Sequence, residues 1–229
     1  MRPIDHLVLP VTTLMLARSR LAGLGFTVAP DARHPFGTGN CCVFFENRTY
    51  LEPITILDRA AADMAAAEGA FFVRRLKRFT ERQGEGFAML AFKSDDAAAD
   101  RAAFEAGGIG GGPVFRFARD ATLPDGSAQE IGVALAYADH PGAPDATFFA
   151  CQQLAPEVLY QPAYLEHPNG ALGVACVAAV AENPAEFREL LAAAAGVPEV
   201  PASEIGLRAD IGEQSVLVLT PAGFRARYG

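Results

Sequence analysis

Two polar residues, His6 and Glu52, lie in segments that are mostly apolar and strand-like. On an alternating strand each shares its face with apolar or aromatic neighbours, which are Ile4 and Val8 for His6, and Tyr50 and Ile54 for Glu52. A buried carboxylate is costly unless it is paired or bound to a metal, and an imidazole is a ready partner or co-ligand. Two interpretations follow. The residues form half of a divalent-metal site, in which the metal polarises a substrate oxygen and Glu52 moves a proton, or they form a hydrogen-bonded pair in a pocket wall.

A histidine and an asparagine bound the turn-rich segment 34–40, whose sequence is HPFGTGN. Proline and glycine favour a rigid turn here, and such turns expose backbone near ligands. We expect His34 and Asn40 to line a substrate pocket, where Asn40 orients a substrate carbonyl. The alternative is that the segment only makes a tight connection and that Asn40 caps the next strand.

Two glutamines, Gln152 and Gln153, follow Cys151 in a strand-like segment that is otherwise apolar. Because side chains alternate along a strand, one of the two must point inward, and a buried glutamine needs hydrogen-bonding partners. A ligand is one such partner, and we expect Gln152 to lie in the pocket. Tyr50 and Phe87 are expected to form apolar walls of the same pocket, although aromatic residues are equally ordinary in a core.

Composition and charge exclude several classes of function. Of the 229 residues, 51% are hydrophobic and 20% are charged, as in globular proteins. The formal net charge of −8 opposes binding to nucleic acid, because phosphate neutralisation requires clustered Lys and Arg. No stretch approaches the ~20 apolar residues of a membrane span, and the N-terminus lacks the cleavage site of a signal peptide. We therefore expect no membrane partner and a cytoplasmic location.

The chain repeats one order of elements three times: a strand-like run, a helix that ends at glycine, and further strands. We predict an α+β protein of βαβββ modules. The first module spans residues 1–58, and a helical linker spans 59–84. The second module spans 85–155, with later strands at 113–117, 131–138 and 147–154. A loop linker at 156–171 then precedes a third, shorter module at 172–229.

Several short motifs resemble one known family. They are DHLVLPV at 5–11, LGF at 24–26, HPFGTGN at 34–40, TYLE at 49–52 and HPNGA at 167–171. On these motifs the chain resembles the glyoxalase-like domain family of the vicinal-oxygen-chelate superfamily. The resemblance implies paired βαβββ modules that form a cupped mixed β-sheet with flanking helices and enclose a ligand, often with a divalent metal. The superfamily includes lyases, isomerases, dioxygenases and metal-free binding proteins, so the fold does not name a reaction.

The resemblance also implies where a metal would bind. In members that hold metal, one ligand comes from the first strand of a module and another from its last strand, and His6 and Glu52 occupy those positions. The resemblance therefore makes both residues candidate metal ligands and candidate catalytic residues. Aligned on the first module, the second places Phe87 and Ala150 at these positions, with Gln152 one alternation further.

The third module supplies no metal ligand either, because it places Ala175 and a valine at the two positions. A site of His6, Glu52 and waters could still hold Mg or Mn when the substrate contributes oxygens, and Zn, Fe and Ni are further candidates. His34, Gln152 or a neighbouring subunit could complete it.

Three functions stay open. The first is a metal-dependent lyase, isomerase or dioxygenase that acts on a small oxygenated metabolite. The second is a metal-free protein that binds or sequesters a hydrophobic small molecule in the same cup. The third follows from the odd number of modules, because an unpaired module leaves a sheet edge uncovered and a homodimer would cover it.

Overall fold

The computed structural model describes residues 1–229 and contains thirteen β-strands and seven α-helices. The strands of the first module are β1 (Ile4–Pro10), β2 (Ala32–Arg33), β3 (Thr38–Asn40), β4 (Val43–Phe44) and β5 (Tyr50–Ile56). Those of the second are β6 (Met89–Lys93), β7 (Phe115–Thr122), β8 (Ala128–Ala138) and β9 (Thr147–Gln153). The third contains β10 (Cys176–Val180), β11 (Ala202–Ser203), β12 (Gly206–Ile211) and β13 (Gln214–Leu219).

The helices are α1 (Leu14–Gly23), α2 (Arg59–Ala67), α3 (Phe71–Gln83), α4 (Ala97–Ala106), α5 (Pro156–Leu159), α6 (Arg188–Ala195) and α7 (Pro221–Tyr228). Side chains cap the helices of the first two modules in the same way. Thr13 accepts a hydrogen bond from the Leu16 amide at the start of α1, and Asp96 accepts from two amides at the start of α4. No helix combines the length and the apolar character that crossing a membrane requires.

One nine-stranded sheet contains the strands of the first two modules, in the order β2-β3-β5-β1-β6-β9-β8-β7, with β4 paired to β5. The modules meet where β1 pairs antiparallel with β6, while each pairs in parallel with the last strand of its own module. The sheet curves until its two edges approach each other. Phe117 of β7 lies edge-on to the rings of His34 and Phe36, with centroids 5.4 Å and 4.9 Å apart. The predicted α+β fold with a cupped mixed sheet is confirmed.

The inner face of the cup carries a hydrophobic cluster that includes Val8, Ile54 and Phe149 together with Phe72 and Leu76 of α3. The helical segment between the modules therefore does more than connect them, because α3 packs into this cluster. Its buried residues recur with the period of a helix, and most of its charged residues face outward, whereas Arg75 is partly buried and bonds Thr147.

The outer face of the sheet is covered by α4 and by the third module. Ile4 and Phe92 of the main sheet, Leu191 of α6 and Val216 of β13 belong to one buried cluster. The third module forms its own four-stranded sheet in the order β10-β13-β12-β11, with β10 at one edge. A continuous core therefore joins the two sheets.

One expectation for β1 is wrong. The register of β1 against β6 shifts between Ile4 and His6, which is a β-bulge. Ile4 consequently packs in the outer cluster, whereas His6 faces the inside of the cup. The two residues do not share a face as regular alternation predicts.

Candidate functional site

A cavity of about 40 Å³ lies inside the cup, and its walls come from both modules. Five residues expected from the sequence line it: His6, His34, Asn40, Tyr50 and Glu52. The remaining lining residues are mostly apolar, and they are Phe72, Phe117, Arg119, Ile131, Val133, Leu135, Phe149, Cys151, Gln153 and Leu159. Polar groups are thus concentrated at the first module, and the second module supplies most of the apolar wall.

Strand register brings the polar side chains together. In the parallel pair of β1 and β5, His6 lies opposite Tyr50, and Glu52 is two residues further along the same face. In the antiparallel pair of β3 and β5, Asn40 lies opposite Ile54, so Asn40 and Glu52 are diagonal neighbours. The expected common face of Tyr50, Glu52 and Ile54 is present.

The Glu52 carboxylate is buried, with 7% of the residue exposed, and its oxygens face three polar groups. Asn40 Nδ2 donates a hydrogen bond of 2.6 Å to Oε1. His6 Nε2 lies 3.5 Å from Oε2, and His34 Nε2 lies 3.9 Å from Oε1. A carboxylate accepts about four hydrogen bonds in water, so a buried one with a single close donor is poorly compensated. Glu52 is available to bind a cation.

His6 is held in one orientation by its neighbours. Its Nδ1 lies 2.7 Å from Asp5 Oδ2, and its ring stacks on Tyr50 with centroids 4.3 Å apart. Gln153 Nε2 donates a second hydrogen bond, of 3.1 Å, to the same Asp5 oxygen. A carboxylate at Nδ1 fixes the proton there, which leaves Nε2 directed at Glu52.

His34 occupies the turn that joins β2 to β3. Its Nδ1 lies 2.7 Å from Thr38 Oγ1, and its Nε2 lies 3.3 Å from Asn40 Nδ2. Burial, aided by the positive charge of Arg119, lowers the pKa of His34 from 6.5 to about 3. The imidazole is therefore neutral at physiological pH. The turn is tight because Gly37 adopts a φ of 81°, and a Cβ there would lie 2.5 Å from the Asp58 carbonyl oxygen.

A second group of possible metal ligands lies behind His6. Asp5, His6 and Cys151 each offer a ligand atom, and these atoms lie within 4.8 Å of one another. Asp5 already accepts hydrogen bonds from His6 and Gln153. Burial, followed by the charges of Asp5 and Glu52, raises the pKa of the Cys151 thiol well above its usual value. A thiolate is the form that binds metal, and the raised pKa keeps Cys151 protonated, so Cys151 is a poor ligand. Asp5 and Cys151 therefore support His6 and do not form a separate metal site.

Two expectations for the pocket are wrong. Phe87 is 62% exposed, because β6 begins only at Met89 and Phe87 lies before it. Gln152 faces the other side of β9, where its Nε2 donates to the Asp95 carbonyl and its Oε1 accepts from the Ala97 amide. Gln153 is the glutamine that enters the pocket.

Sequence reasoning also missed Asp5 and Arg119. Asp5 was detectable as a charged residue inside a buried strand, since such a residue needs a partner. Arg119 could have been found by extending the strand before the Asp125-Gly126 turn to the same length as the strand after the turn. Alternation then places Arg119 on the same face as Phe117.

Comparison with known proteins agrees with this fold. A family model described as a glyoxalase-like domain matches residues 4–195. No curated protein matches the sequence. A hypothetical protein from Staphylococcus aureus is similar in structure, with a TM-score of 0.72 and 13% identity over 96% of this chain and 86% of that chain.

Two further solved structures are enzymes. A mutant of 4-hydroxymandelate synthase from Streptomyces coelicolor has a TM-score of 0.56 and 16% identity, over 96% of this chain and 63% of that chain. Methylmalonyl-CoA epimerase from Mycobacterium tuberculosis has a TM-score of 0.44 and 16% identity, over 66% of this chain and 87% of that chain. Because the identities are low, the likeness to the Staphylococcus aureus protein and to the synthase concerns the fold alone.

Proposed function

Because this chain belongs to the glyoxalase-like domain family, we propose that its cup is the active site of an enzyme that moves a proton on a small oxygenated metabolite, with a divalent metal held by His6 and Glu52. The observation that carries the proposal is the Glu52 carboxylate. It is buried, has one close hydrogen-bond donor, and faces an oriented imidazole nitrogen at 3.5 Å. Uncompensated buried charge of this kind is typical of functional sites.

The pair formed by His6 and Glu52 fits two positions of a divalent site. Metal bonds of about 2.0–2.2 Å place neighbouring ligand atoms roughly 3.0–3.4 Å apart, close to the separation of Nε2 and Oε2. Asp5 at Nδ1 provides the outer carboxylate that metal-binding histidines commonly have. Water and substrate oxygens would fill the other positions for Mn, Zn, Fe, Ni or Mg. A metal bound there would polarise a substrate oxygen.

The protein's own groups would then move the proton. Asn40 fixes Oε1 of Glu52, and this oxygen keeps a free lone-pair site for a substrate proton. His34 Nε2 lies 3.9 Å from the same oxygen, and the ring stays neutral while Glu52 moves the proton. Phe149 and Tyr50 pack around His6 and keep water away from the reacting groups.

Metal content tests this proposal. Protein purified without an affinity tag or chelator is analysed by inductively coupled plasma mass spectrometry as wild type, His6→Ala, Glu52→Gln and, as a matched control far from the cup, His140→Ala. We expect close to one equivalent of metal in the wild type and in His140→Ala, and loss of metal in the other two variants. A wild type that stays empty after Mn²⁺, Zn²⁺, Fe²⁺ and Ni²⁺ are added back would contradict the proposal.

A second candidate function is metal-free binding of a small hydrophobic molecule. The observation that favours it is the second module, whose residues on the inner face are Met89, Ala91, Phe149 and Cys151. This wall supplies no second pair of metal ligands, and it is well suited to apolar contact. The two functions differ in one measurable respect, because binding by a metal-free cup persists in excess chelator.

We further propose that β10, the edge strand of the third module, pairs with a second copy of this chain. In the first module, β1 pairs with β5 on one side and with β6 on the other. Its counterpart β10 pairs only with β13, and Val180 at its end is 50% exposed. Antiparallel pairing of β10 with the β10 of another copy would cover this edge. Sedimentation velocity should show a dimer for the wild type and a monomer for Val180→Lys, whereas a monomeric wild type at high concentration would contradict it.

A further inference from the structure

Arg119 lies on the inner face of the cup, in a row of side chains that is otherwise apolar. Side chains of β7 alternate between partly buried and exposed positions, and the inward row is Phe115, Phe117, Arg119 and Ala121. The register of the hairpin places Arg119 opposite Ile131 of β8. Arg119 and Ile131 both line the cavity that holds Glu52. An arginine is costly in such a row unless its charge has a partner.

The guanidinium of Arg119 has no carboxylate partner within 4.0 Å. Its one hydrogen bond within the protein joins Nη1 to the Asp120 carbonyl oxygen at 3.2 Å. Two other partly buried arginines are fully engaged, because Arg2 pairs with Asp100, and Arg75 bonds Thr147 and two backbone carbonyls. Since a guanidinium carries five N–H donors, most of those of Arg119 have no partner within the protein and are free to bind water or a ligand.

Arg119 also lies between two cavities. A second cavity of about 30 Å³ adjoins the first and is lined mainly by residues such as Cys42, Phe44 and Tyr164. Arg119, Asn40 and Leu159 line both cavities. The positive charge of Arg119 acts in both cavities. It lowers the pKa of His34 in the first cavity and opposes the rise in the pKa of Cys42 in the second. A group held at Arg119 would therefore be adjacent to Asn40 and within the field of the Glu52 site.

We propose that Arg119 binds a carboxylate of the ligand, so that the cup takes a small carboxylic acid whose remaining atoms extend toward His6 and Glu52. A guanidinium matches a carboxylate in a planar, bidentate pair. The two small cavities suit a compact planar anion, and the neighbouring Glu52 disfavours a group with two negative charges. This inference rests on the proposed function, because it names the substrate class of the same site.

The test uses small carboxylates as probes and a neighbouring arginine as the control. Acetate, propionate, pyruvate and benzoate are titrated into the full-length protein as purified, without chelator, and binding is followed by calorimetry. Methyl pyruvate, the uncharged ester of pyruvate, is the control for the charge of the carboxylate. The variants are Arg119→Gln, Arg119→Lys and Arg116→Gln, since Arg116 is the exposed arginine that points outward on the same strand.

We expect at least one acid to bind the wild type, and its affinity to fall about 10- to 100-fold in Arg119→Gln, as for loss of a charge-assisted hydrogen bond. Arg119→Lys should retain part of the affinity, and Arg116→Gln should match the wild type. Binding of no acid, equal binding of methyl pyruvate and pyruvate, or unchanged affinity in Arg119→Gln would overturn the inference. Metal content of Arg119→Gln is measured separately, so that failure of this inference is distinguishable from failure of the metal site.

Discussion

Asp5 and His6 are consecutive residues, and Asp5 Oδ2 nevertheless lies 2.7 Å from His6 Nδ1 in the interior of the protein. Neighbours on a regular strand point to opposite faces and do not meet in this way. The β-bulge between Ile4 and His6 makes the contact possible. The bulge therefore sets the direction in which His6 Nε2 points, which is toward Glu52.

Asp5→Asn should weaken metal binding while the protein stays folded. The amide has the shape of the carboxylate, but it lacks the charge that makes His6 Nε2 a strong ligand. Loss of such an outer carboxylate typically costs about 10- to 100-fold in metal affinity. Titration with Mn²⁺, followed by electron paramagnetic resonance, measures the effect, and the exposed Asp210→Asn serves as control. Equal affinity of Asp5→Asn and wild type would show that Asp5 has no part in the site.

Glu52→Gln should leave the metal-free protein at least as stable as the wild type. The substitution removes a poorly compensated buried charge, and its amide can keep the Asn40 bond and donate to His6 Nε2. We expect a gain of about 1 kcal/mol in the free energy of unfolding, measured by urea denaturation with chelator. The exposed Glu46→Gln should show no change. A loss of stability in Glu52→Gln would indicate that Glu52 is structural.

Stability of the metal-free protein should fall below neutral pH because of His34. Its pKa is about 3 in the folded protein and 6.5 in the unfolded chain, so the unfolded chain binds the extra proton between these values. The unfolding free energy should therefore decrease as the pH falls from 6.5 toward 3, by about 1 kcal/mol per pH unit from this residue.

Urea denaturation of wild type and His34→Gln between pH 5 and pH 8, with chelator present, isolates this contribution. The two proteins should differ in the slope below pH 6.5 and share the slope above it. Parallel curves over the whole range would mean that His34 is accessible to protons in the folded protein.

Leu191→Ala should destabilise the whole protein in one transition. Leu191 is 1% exposed and belongs to the cluster that also contains Phe92 of the main sheet. A Leu→Ala change at such a position costs about 2–5 kcal/mol. Far-UV circular dichroism and tyrosine fluorescence should report the same shifted midpoint, because one core joins the two sheets. Leu172→Ala, at a position 67% exposed, is the control. Separate transitions for the two probes would show that the third module folds independently.

Much of the site followed from the sequence because strand alternation and local motifs determine it. Tyr50 and Glu52 share a face of β5 as alternation predicts, and His34 lies in the turn that its proline and glycines predict. His6, Asn40 and Glu52 converge because β1 and β3 both pair with β5, a pairing that alternation within a single strand cannot predict.

The wrong predictions arise where the start, the end or the inward face of a strand differs from what counting residues along the sequence gives. Gln152 and Gln153 differ by one position, so a shift of a single residue reverses which one enters the pocket. Alignment of the second module on the first places Phe87 at the position of His6, whereas β6 begins at Met89. Arg119 was missed because the strand was expected to end at residue 117, and the hairpin extends to Thr122. The contact of Asp5 with His6 could not be predicted, because a bulge cannot be read from alternation.

The central claim is that His6 and Glu52 hold a divalent metal, and an anomalous-scattering map from crystals soaked in Mn²⁺ tests it most directly. We predict a single strong peak in the cup, about 2.0–2.3 Å from His6 Nε2 and from an oxygen of Glu52. The peak should be absent from crystals of Glu52→Gln soaked in the same way. A cup without a peak in the wild type, or a peak bound by Asp5 and Cys151 instead, would contradict the claim.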